Sequence, residues 1–179
     1  MRKLMLLLAL LPSCALARDW NVDMAKSTLT FKDSYQGGPF EGIFRKWTAA
    51  IAYDETDLAH ARFDVTVQLA SVDTQSSERD QTLATPDFFD TSKFPQAHFV
   101  SSAFNRGADG GVIALGTLTL RGVDKPVTLK VKFAATGGAT TLDVDATLNR
   151  LDFGLGTSDD WADIGRDVAV HGHLVLTPK

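Results

Sequence analysis

Most of the chain alternates apolar and polar residues with a period of two, and this pattern constrains the fold more than any other feature. In residues 62–69 the apolar positions are Phe63, Val65, Val67 and Leu69, and polar or charged residues stand between them. Successive side chains of a strand point to opposite faces, so such a segment has one apolar and one polar face. The pattern predicts strands over residues 19–23, 27–35, 39–54, 62–69, 96–105, 111–121, 127–133, 141–148 and 167–176.

Short Gly- and Asp-rich turns separate these strands and predict antiparallel neighbours. About eight or nine half-apolar strands must bury their apolar faces together. A closed barrel does so and leaves no unpaired edge, whereas a β-sandwich is the alternative that patterning alone leaves open. The sixteen residues 39–54 form a long strand, and at ~3.3 Å per residue they could run the height of an elongated barrel. Gly42 would let that strand bend.

Two segments depart from the strand pattern. In residues 75–94, Ser76 or Ser77 is a suitable N-cap, and the sequence predicts a short helix that ends before Pro86. Residues 150–166 are rich in Gly and Asp and predict a loop.

The N-terminus has the three parts of an export signal. Arg2 and Lys3 are basic, residues 4–11 are apolar, and Ala15-Leu16-Ala17 offers a small-x-small cleavage site. The apolar run is shorter than the roughly 20 residues that span a bilayer. We therefore expect cleavage after Ala17, which leaves residues 18–179 as one domain.

The chain has one cysteine, Cys14, and it lies inside the predicted signal. Cleavage after Ala17 would leave a mature chain without thiols or disulfides. The alternative is that Leu11-Pro-Ser-Cys14 is a lipoprotein signal and that Cys14 carries the lipid anchor.

Charge argues against nucleic acid as a partner. The full chain has a formal net charge of −4, and loss of the two basic signal residues makes it −6. Because nucleic-acid binding needs a basic surface to neutralise phosphates, an acidic chain without a basic cluster is unsuited to it. No second apolar span follows the signal, so we do not expect an integral membrane protein.

Motifs for catalysis are sparse. The sequence lacks a Gly-x-Ser-x-Gly elbow and a His-Glu-x-x-His motif. His171 and His173 share one face of a predicted strand, where they could bind a metal with a third ligand. They could equally form an ordinary solvated face. We therefore expect no enzyme, no resident cofactor and no metal.

Several blocks occur in an order that resembles the YceI-like family of bacterial secreted proteins. They are Arg79-Asp80, Phe88-Phe89-Asp90, Phe94-Pro95, residues 116–127 and Asn149-Arg-Leu-Asp-Phe-Gly154. The resemblance extends from Trp20 to Leu176. It departs at Thr82, where the family often has a histidine, so a role of that histidine does not carry over.

The resemblance implies an all-β, antiparallel, lipocalin-like barrel of eight or slightly more strands that binds a polyisoprenoid or an isoprenoid quinone in an apolar lumen. It also favours the barrel over the sandwich and the Gram-negative periplasm as the location. The residues expected to line the lumen and its mouth are Phe31, Phe44, Val65, Val67, Arg79, Phe89, Phe94, Phe99, Leu118, Val131, Phe153 and Trp161.

Two of these expectations have alternatives. Arg79 either meets a lipid head group at the barrel mouth or forms an anchoring ion pair with Asp80. The phenylalanines around residues 88–99 either fill one end of the barrel or line a lipid tunnel, and composition cannot distinguish a filled barrel from a hollow one.

At the level of function, two further hypotheses remain: an accessory protein that presents a quinone to a membrane cytochrome, and a metal-dependent enzyme that uses His171 and His173.

Overall fold

The computed structural model describes residues 17–136 and 139–179, so the predictions on the signal sequence and Cys14 concern residues outside this range. The described chain forms eleven strands and one α-helix. They are β1 (Asp19–Val22), β2 (Thr28–Tyr35), β3 (Gly38–Phe44), β4 (Trp47–Ala52), β5 (Arg62–Gln68), β6 (Val72–Asp73), α1 (Ser77–Ala84), β7 (Gln96–Arg106), β8 (Val112–Leu120), β9 (Val123–Thr136), β10 (Ala139–Asn149) and β11 (Asp167–Pro178). Single 3-10 turns occupy Leu58–His60, Leu69–Ser71, Arg150–Phe153 and Asp159–Trp161.

All strand pairs are antiparallel, and the sheet closes on itself. The order is β1-β4-β5-β7-β8-β9-β10-β11-β2-β3-β6, and β1 also pairs with β11. Three positions in the wall are each shared by two consecutive strands, namely β1 with β2, β3 with β4, and β5 with β6. The result is a closed barrel of eight strand positions with one short helix, which confirms the predicted fold class and excludes the sandwich.

The prediction of one continuous strand over residues 39–54 is wrong. The chain bends at Arg45 and Lys46, so that β3 pairs with β2 and β6 while β4 pairs with β1 and β5. The neighbouring chain bends at the same level, in the turn Leu69–Ser71. The backbone amides of Arg45 and Lys46 donate to the carbonyl and the hydroxyl of Ser71, so both bends are held together.

The helix α1 agrees with the prediction. Ser76 is its N-cap, and the Ser76 hydroxyl accepts a hydrogen bond from the Arg79 amide at 3.3 Å. Thr85 is extended, as expected for a residue before proline, and it ends the helix ahead of Pro86. Among residues 17–136 and 139–179, α1 has only eight residues, and no helix has the length and hydropathy of a transmembrane span.

Large buried side chains fill one end of the barrel, which we call the packed end. Its residues are Trp20, Trp47, Ile51, Tyr53, Phe63, Phe104, Val112, Ala114, Val131, Leu142, Leu174 and Leu176, and Phe99 joins this cluster to the cavity wall. A second cluster, which we call the end cap, covers the opposite end below the insert and the 150–166 loop. Its residues are Leu69, Phe88, Phe89, Ala97, Leu120, Phe153 and Leu155. The two clusters leave the middle of the barrel between them.

Gly42 serves close packing and not the bend that the sequence suggested. It is paired with Phe31 on the neighbouring strand, and a Cβ atom at Gly42 would lie 2.4 Å from the Phe31 ring. Gly116 makes room for the Phe99 ring in the same way, because a Cβ atom at Gly116 would again lie 2.4 Å from that ring. Both glycines therefore leave room for a phenylalanine ring against the backbone.

Candidate functional site

A cavity of about 570 Å³ lies between the packed end and the end cap. Its size is within the range of roughly 300–1,000 Å³ that is usual for small-molecule sites. Its walls are mostly apolar side chains, including Val65, Leu118, Leu129 and Val170. These side chains point inward and remain partly accessible, because they face the cavity.

The cavity opens to solvent between β2 and α1. Two of the residues that line the cavity are exposed. They are Tyr35 at the end of β2 and Glu78 in the first turn of α1. Arg79, Thr82 and Ser76 line the same side of the cavity. We call this region the opening.

Most of the side chains expected at the lumen are brought together around this cavity. Those that line it are Phe31, Phe44, Val65, Val67, Arg79, Phe89, Phe99, Leu118, Phe153 and Trp161. Three of the phenylalanines in the insert and β7, namely Phe88, Phe89 and Phe99, are buried and also line the cavity. For these three residues, filling the barrel end and lining a tunnel are both true.

Two expected lumen residues lie elsewhere. Phe94 packs against the β8–β9 hairpin, where its ring would lie 2.8 Å from a Cβ atom at Gly122, and Lys93 lies 5.1 Å from the ring centroid. Val131 points inward, but it belongs to the packed end, where neighbouring side chains fill the space. The expectation that both residues line the lumen is therefore not met. Parity fixes the face of Val131 but not its level along the barrel, and Phe94 precedes β7, where strand parity does not apply.

The Arg79–Asp80 ion pair that the sequence suggested is not formed. The Asp80 carboxylate instead accepts hydrogen bonds from the amide and hydroxyl of Thr74, at 2.9 and 2.7 Å, and so anchors the insert by itself. The Arg79 guanidinium lies 4.5 Å from the centroid of the Phe40 ring and donates to the carbonyl of Thr74 at 3.3 Å. Such a placement combines a cation–π contact with a position on the cavity wall.

Arg150 lines the cavity, but its donors are already used. It is 5 % exposed, and its guanidinium donates to five backbone carbonyls. These carbonyls belong to Leu155, Gly156, Trp161, Ile164 and Gly165. Arg150 therefore holds the 150–166 loop over the barrel end.

Burial lowers the pKa of Arg150, and the carboxylate of Asp33 opposes this shift. Arg121 donates to the carbonyls of Pro86 and Gly154 and links the insert to the same loop.

Asp33 is a cavity residue that sequence reasoning missed. Its Oδ1 accepts from the Ser34 amide at 2.7 Å, and a Cβ atom at Gly165 would lie 2.2 Å from this oxygen. Burial raises the pKa of the Asp33 carboxyl, while the Ser34 amide and the Arg150 charge act in the opposite direction. The available signal was parity: Asp33 shares the inward face of β2 with Leu29 and Phe31.

His171 and His173 lie on the outer wall, away from the cavity. Their Nδ1 atoms are 2.8 Å from Asp145 and 2.6 Å from Asp143, which are their direct partners on β10. Across residues 17–136 and 139–179, no group of three or more His, Cys, Asp or Glu side chains is arranged to hold a metal ion.

The closed antiparallel barrel with an apolar internal cavity and a small polar opening places this protein in the class of lipocalin-like β-barrels. Sequence comparison then gives the family. A family model described as a YceI-like domain matches residues 20–176. A UPF0312 protein of Vibrio vulnificus is 34% identical over 134 residues, which cover 73% of this chain and 71% of that protein. A UPF0312 protein of Pseudomonas savastanoi is 31% identical over 150 residues, with 79% and 78% covered. The chain belongs to the YceI-like family.

Solved structures share the fold. The Burkholderia cenocepacia protein BcnA superposes with a TM-score of 0.82 at 31% identity, over 88% of this chain and 100% of that one. The Campylobacter jejuni YceI protein superposes with a TM-score of 0.63 at 28% identity, over 77% of this chain and 84% of that one. A polyisoprenoid binding domain from Saccharophagus degradans gives 0.67 at 18% identity, over 92% and 100%, and at that identity the likeness concerns the fold alone.

Proposed function

We propose that this protein binds an isoprenoid lipid in its cavity and carries it without a catalytic step. The observation that carries the proposal is the apolar cavity of about 570 Å³ inside a closed barrel. Burial of each methylene group in such a space contributes ~0.8 kcal/mol before ordering costs. The name of the structurally similar domain from Saccharophagus degradans, a polyisoprenoid binding domain, supports this ligand class.

The ligand lies with its tail toward the packed end and its polar head at the opening. This orientation follows from the distribution of polar side chains, because Glu78, Arg79 and Thr82 are on the α1 side of the cavity and the packed end is apolar. Arg79 offers a planar set of N–H donors to a head-group oxygen.

The proposed location is the periplasm, on the grounds of the signal-like N-terminus and the family. The mature protein then begins at Arg18. An intact mass of the exported protein tests this, and a diacylated Cys14 would instead indicate a membrane anchor. Delivery of a quinone to a membrane cytochrome would be a narrower form of the same carrier function, and co-purification of a cytochrome with the loaded protein would test it.

The decisive experiment is to purify the protein from its native host, extract it with organic solvent and identify bound lipid by mass spectrometry. We expect an isoprenoid in near-stoichiometric amount and chemically unchanged after prolonged incubation. The matched control is Leu129→Trp, which places a large ring in the cavity and should be isolated without lipid. Lipid recovered equally from both proteins would show that it does not occupy the cavity, and its absence from both would contradict the carrier function.

A further inference from the structure

Four charged side chains line the cavity, and they differ in how far their charges are already satisfied. They are Asp33, Glu78, Arg79 and Arg150. All the side-chain nitrogens of Arg150 donate to backbone carbonyls, so this cation is committed to holding the 150–166 loop. Among the described cavity-lining residues, this leaves Arg79 as the cation with donors available to a ligand.

Arg79 and Asp33 are both neighbours of Phe40. The Arg79 guanidinium is 4.5 Å from the centroid of Phe40, and Phe40 is the direct partner of Asp33 in the pairing of β2 with β3. Directly opposed residues of an antiparallel pair have Cβ atoms about 5 Å apart. Phe40 therefore has a donor group on one neighbour and a carboxyl group on the other, and both neighbours line the cavity.

Glu78 adds a second carboxylate at the opening. It precedes Arg79 in α1 and is exposed, whereas Asp33 is half-buried beside the wall. Any head group that passes between α1 and the end of β2 lies near both carboxyl groups.

We infer that the opening selects a lipid with an uncharged oxygen head group, an alcohol or a quinone, over the phosphorylated form of the same isoprenoid. This inference rests on the proposed function and specifies its ligand class.

The physical reason is the supply of available donors beside the two carboxylates. Arg150 keeps its positive charge, which attracts Asp33, but all of its N–H groups are already bound to carbonyls. A phosphate monoester carries roughly −1.5 to −2 charges near pH 7 and needs several donors. Arg79 would be its one available cationic donor, whereas the Glu78 carboxylate would repel it, and so would Asp33 to the extent that Arg150 does not offset its charge. An uncharged oxygen needs only one donor, which Arg79 supplies, and an alcohol can donate its hydrogen to the Asp33 carboxylate.

The test compares four ligands that share a tetraprenyl tail: the alcohol, a benzoquinone, the monophosphate and the saturated hydrocarbon without a head group. Affinities are measured at low salt, because screening would weaken the effect. We expect the alcohol and the quinone to bind roughly ten-fold or more tightly than the monophosphate. Arg79→Ala should weaken binding of the alcohol and the quinone while leaving binding of the hydrocarbon nearly unchanged.

Charge removal gives the sharper test. Asp33→Asn combined with Glu78→Gln should raise the affinity for the monophosphate. The difference in affinity between the monophosphate and the alcohol should therefore become smaller. The matched control is Glu55→Gln with Asp109→Asn, which changes the net charge equally. Both control residues are exposed and lie near the β7–β8 hairpin, where Arg106 donates to the Glu55 carbonyl. Glu78→Gln alone, at an exposed helical position, serves as a second test if the double variant is unstable.

The inference is overturned if the unmodified protein binds the monophosphate as tightly as the alcohol or more tightly. It is also overturned if the control variant reduces the affinity difference between the two ligands as much as Asp33→Asn with Glu78→Gln does. These results would leave the carrier function intact, because the alcohol and the hydrocarbon would still bind. If none of the four ligands binds, the proposed function itself fails, and the inference fails with it.

Discussion

Strand β9 contributes to two regions of the barrel that have the same inward-facing pattern but different interiors. Val131 and Phe133 lie at the packed end, where the Phe133 ring is 5.5 Å from that of Trp20 and 5.3 Å from that of Tyr53. Val127 and Leu129, on the same face of the same strand, border the cavity. Apolar alternation therefore specifies the inward face in both regions, and only one of them is filled.

The difference between the regions lies in the size and level of the side chains. At the packed end, the rings of Trp20, Tyr53, Phe63 and Phe104 converge, and Phe63 meets Phe104 edge-on at 4.8 Å. Around the cavity, much of the wall is Val, Leu and Ala, and these side chains do not reach across the lumen. An eight-stranded barrel is near the width at which side chains either fill the interior or leave room for one ligand. One protein can therefore do both, at different levels.

The largest expected contrast is between alanine substitutions of two phenylalanines. Phe104→Ala at the packed end should lower the free energy of unfolding by about 3–5 kcal/mol, because it opens a void among close-packed rings. Phe44→Ala at the cavity wall should cost only about 1–2 kcal/mol, because its ring partly faces space that is already empty. Urea unfolding measures both, and equal losses would mean that the two regions are packed alike.

A tryptophan scan along β9 should separate stability from binding. Val131→Trp should destabilise the protein by about 1–3 kcal/mol, because a larger side chain overpacks the filled region. Leu129→Trp, two residues away on the same face, should be tolerated and should abolish lipid binding. Thermal melting and ligand titration of both variants test the contrast. If Leu129→Trp destabilises as much as Val131→Trp, the cavity is not a stable feature of the folded protein.

Tyr53 is an exception within the packed end. Its side chain is fully buried, and its hydroxyl has no hydrogen-bond partner among the residues that the structure describes. Burial, with a smaller contribution from the Glu55 charge, raises the pKa of Tyr53 to about 12. A buried unsatisfied hydroxyl is costly, so Tyr53→Phe should stabilise the protein by about 1 kcal/mol.

The control for Tyr53→Phe is Tyr35→Phe at the opening. Tyr35 is an exposed residue whose hydroxyl accepts a solvent-exposed hydrogen bond from the Gln36 side chain at 3.2 Å, so little change in stability is expected. Destabilisation by Tyr53→Phe would reveal a partner for the hydroxyl, such as a buried water.

The smallest expected effect concerns Asp33 and pH. Because burial raises the pKa of Asp33 in the folded state, its ionised form is disfavoured there, and stability increases as pH falls through that pKa. Asp33→Asn should therefore stabilise the protein at neutral pH, and the gain should disappear in acid. We expect ~0.5 kcal/mol or less, since a half-buried carboxyl is screened by solvent. Unfolding curves at several pH values measure it, and a gain that grows toward acid would contradict this sign.

Much of the fold was predictable because local rules govern it. The helix α1 begins after its N-cap Ser76 and ends before Pro86, as capping and the steric effect of proline require. The break at Arg45 and Lys46 was not predictable, because it depends on hydrogen bonds to Ser71 across the wall. At the site, strand parity predicted most of the cavity-lining residues correctly, but it also included Val131, which lies at the packed end. The same parity places the charged Asp33 on an inward face, which could have indicated a polar group in the cavity wall.

Most of the strands, their inward faces, the helix cap and the antiparallel pairing could be predicted from the sequence, because they depend on neighbours along the chain. Three-dimensional folding set where residues 39–54 break into two strands, which inward residues meet one another and which face the cavity. That outcome depends on the level that each side chain occupies in the closed barrel, as the separation of Leu129 from Val131 shows. It also decided that Arg150 is bound to backbone carbonyls while Arg79 lies at the opening, since the partners of Arg150 come from a loop that only folding brings over it.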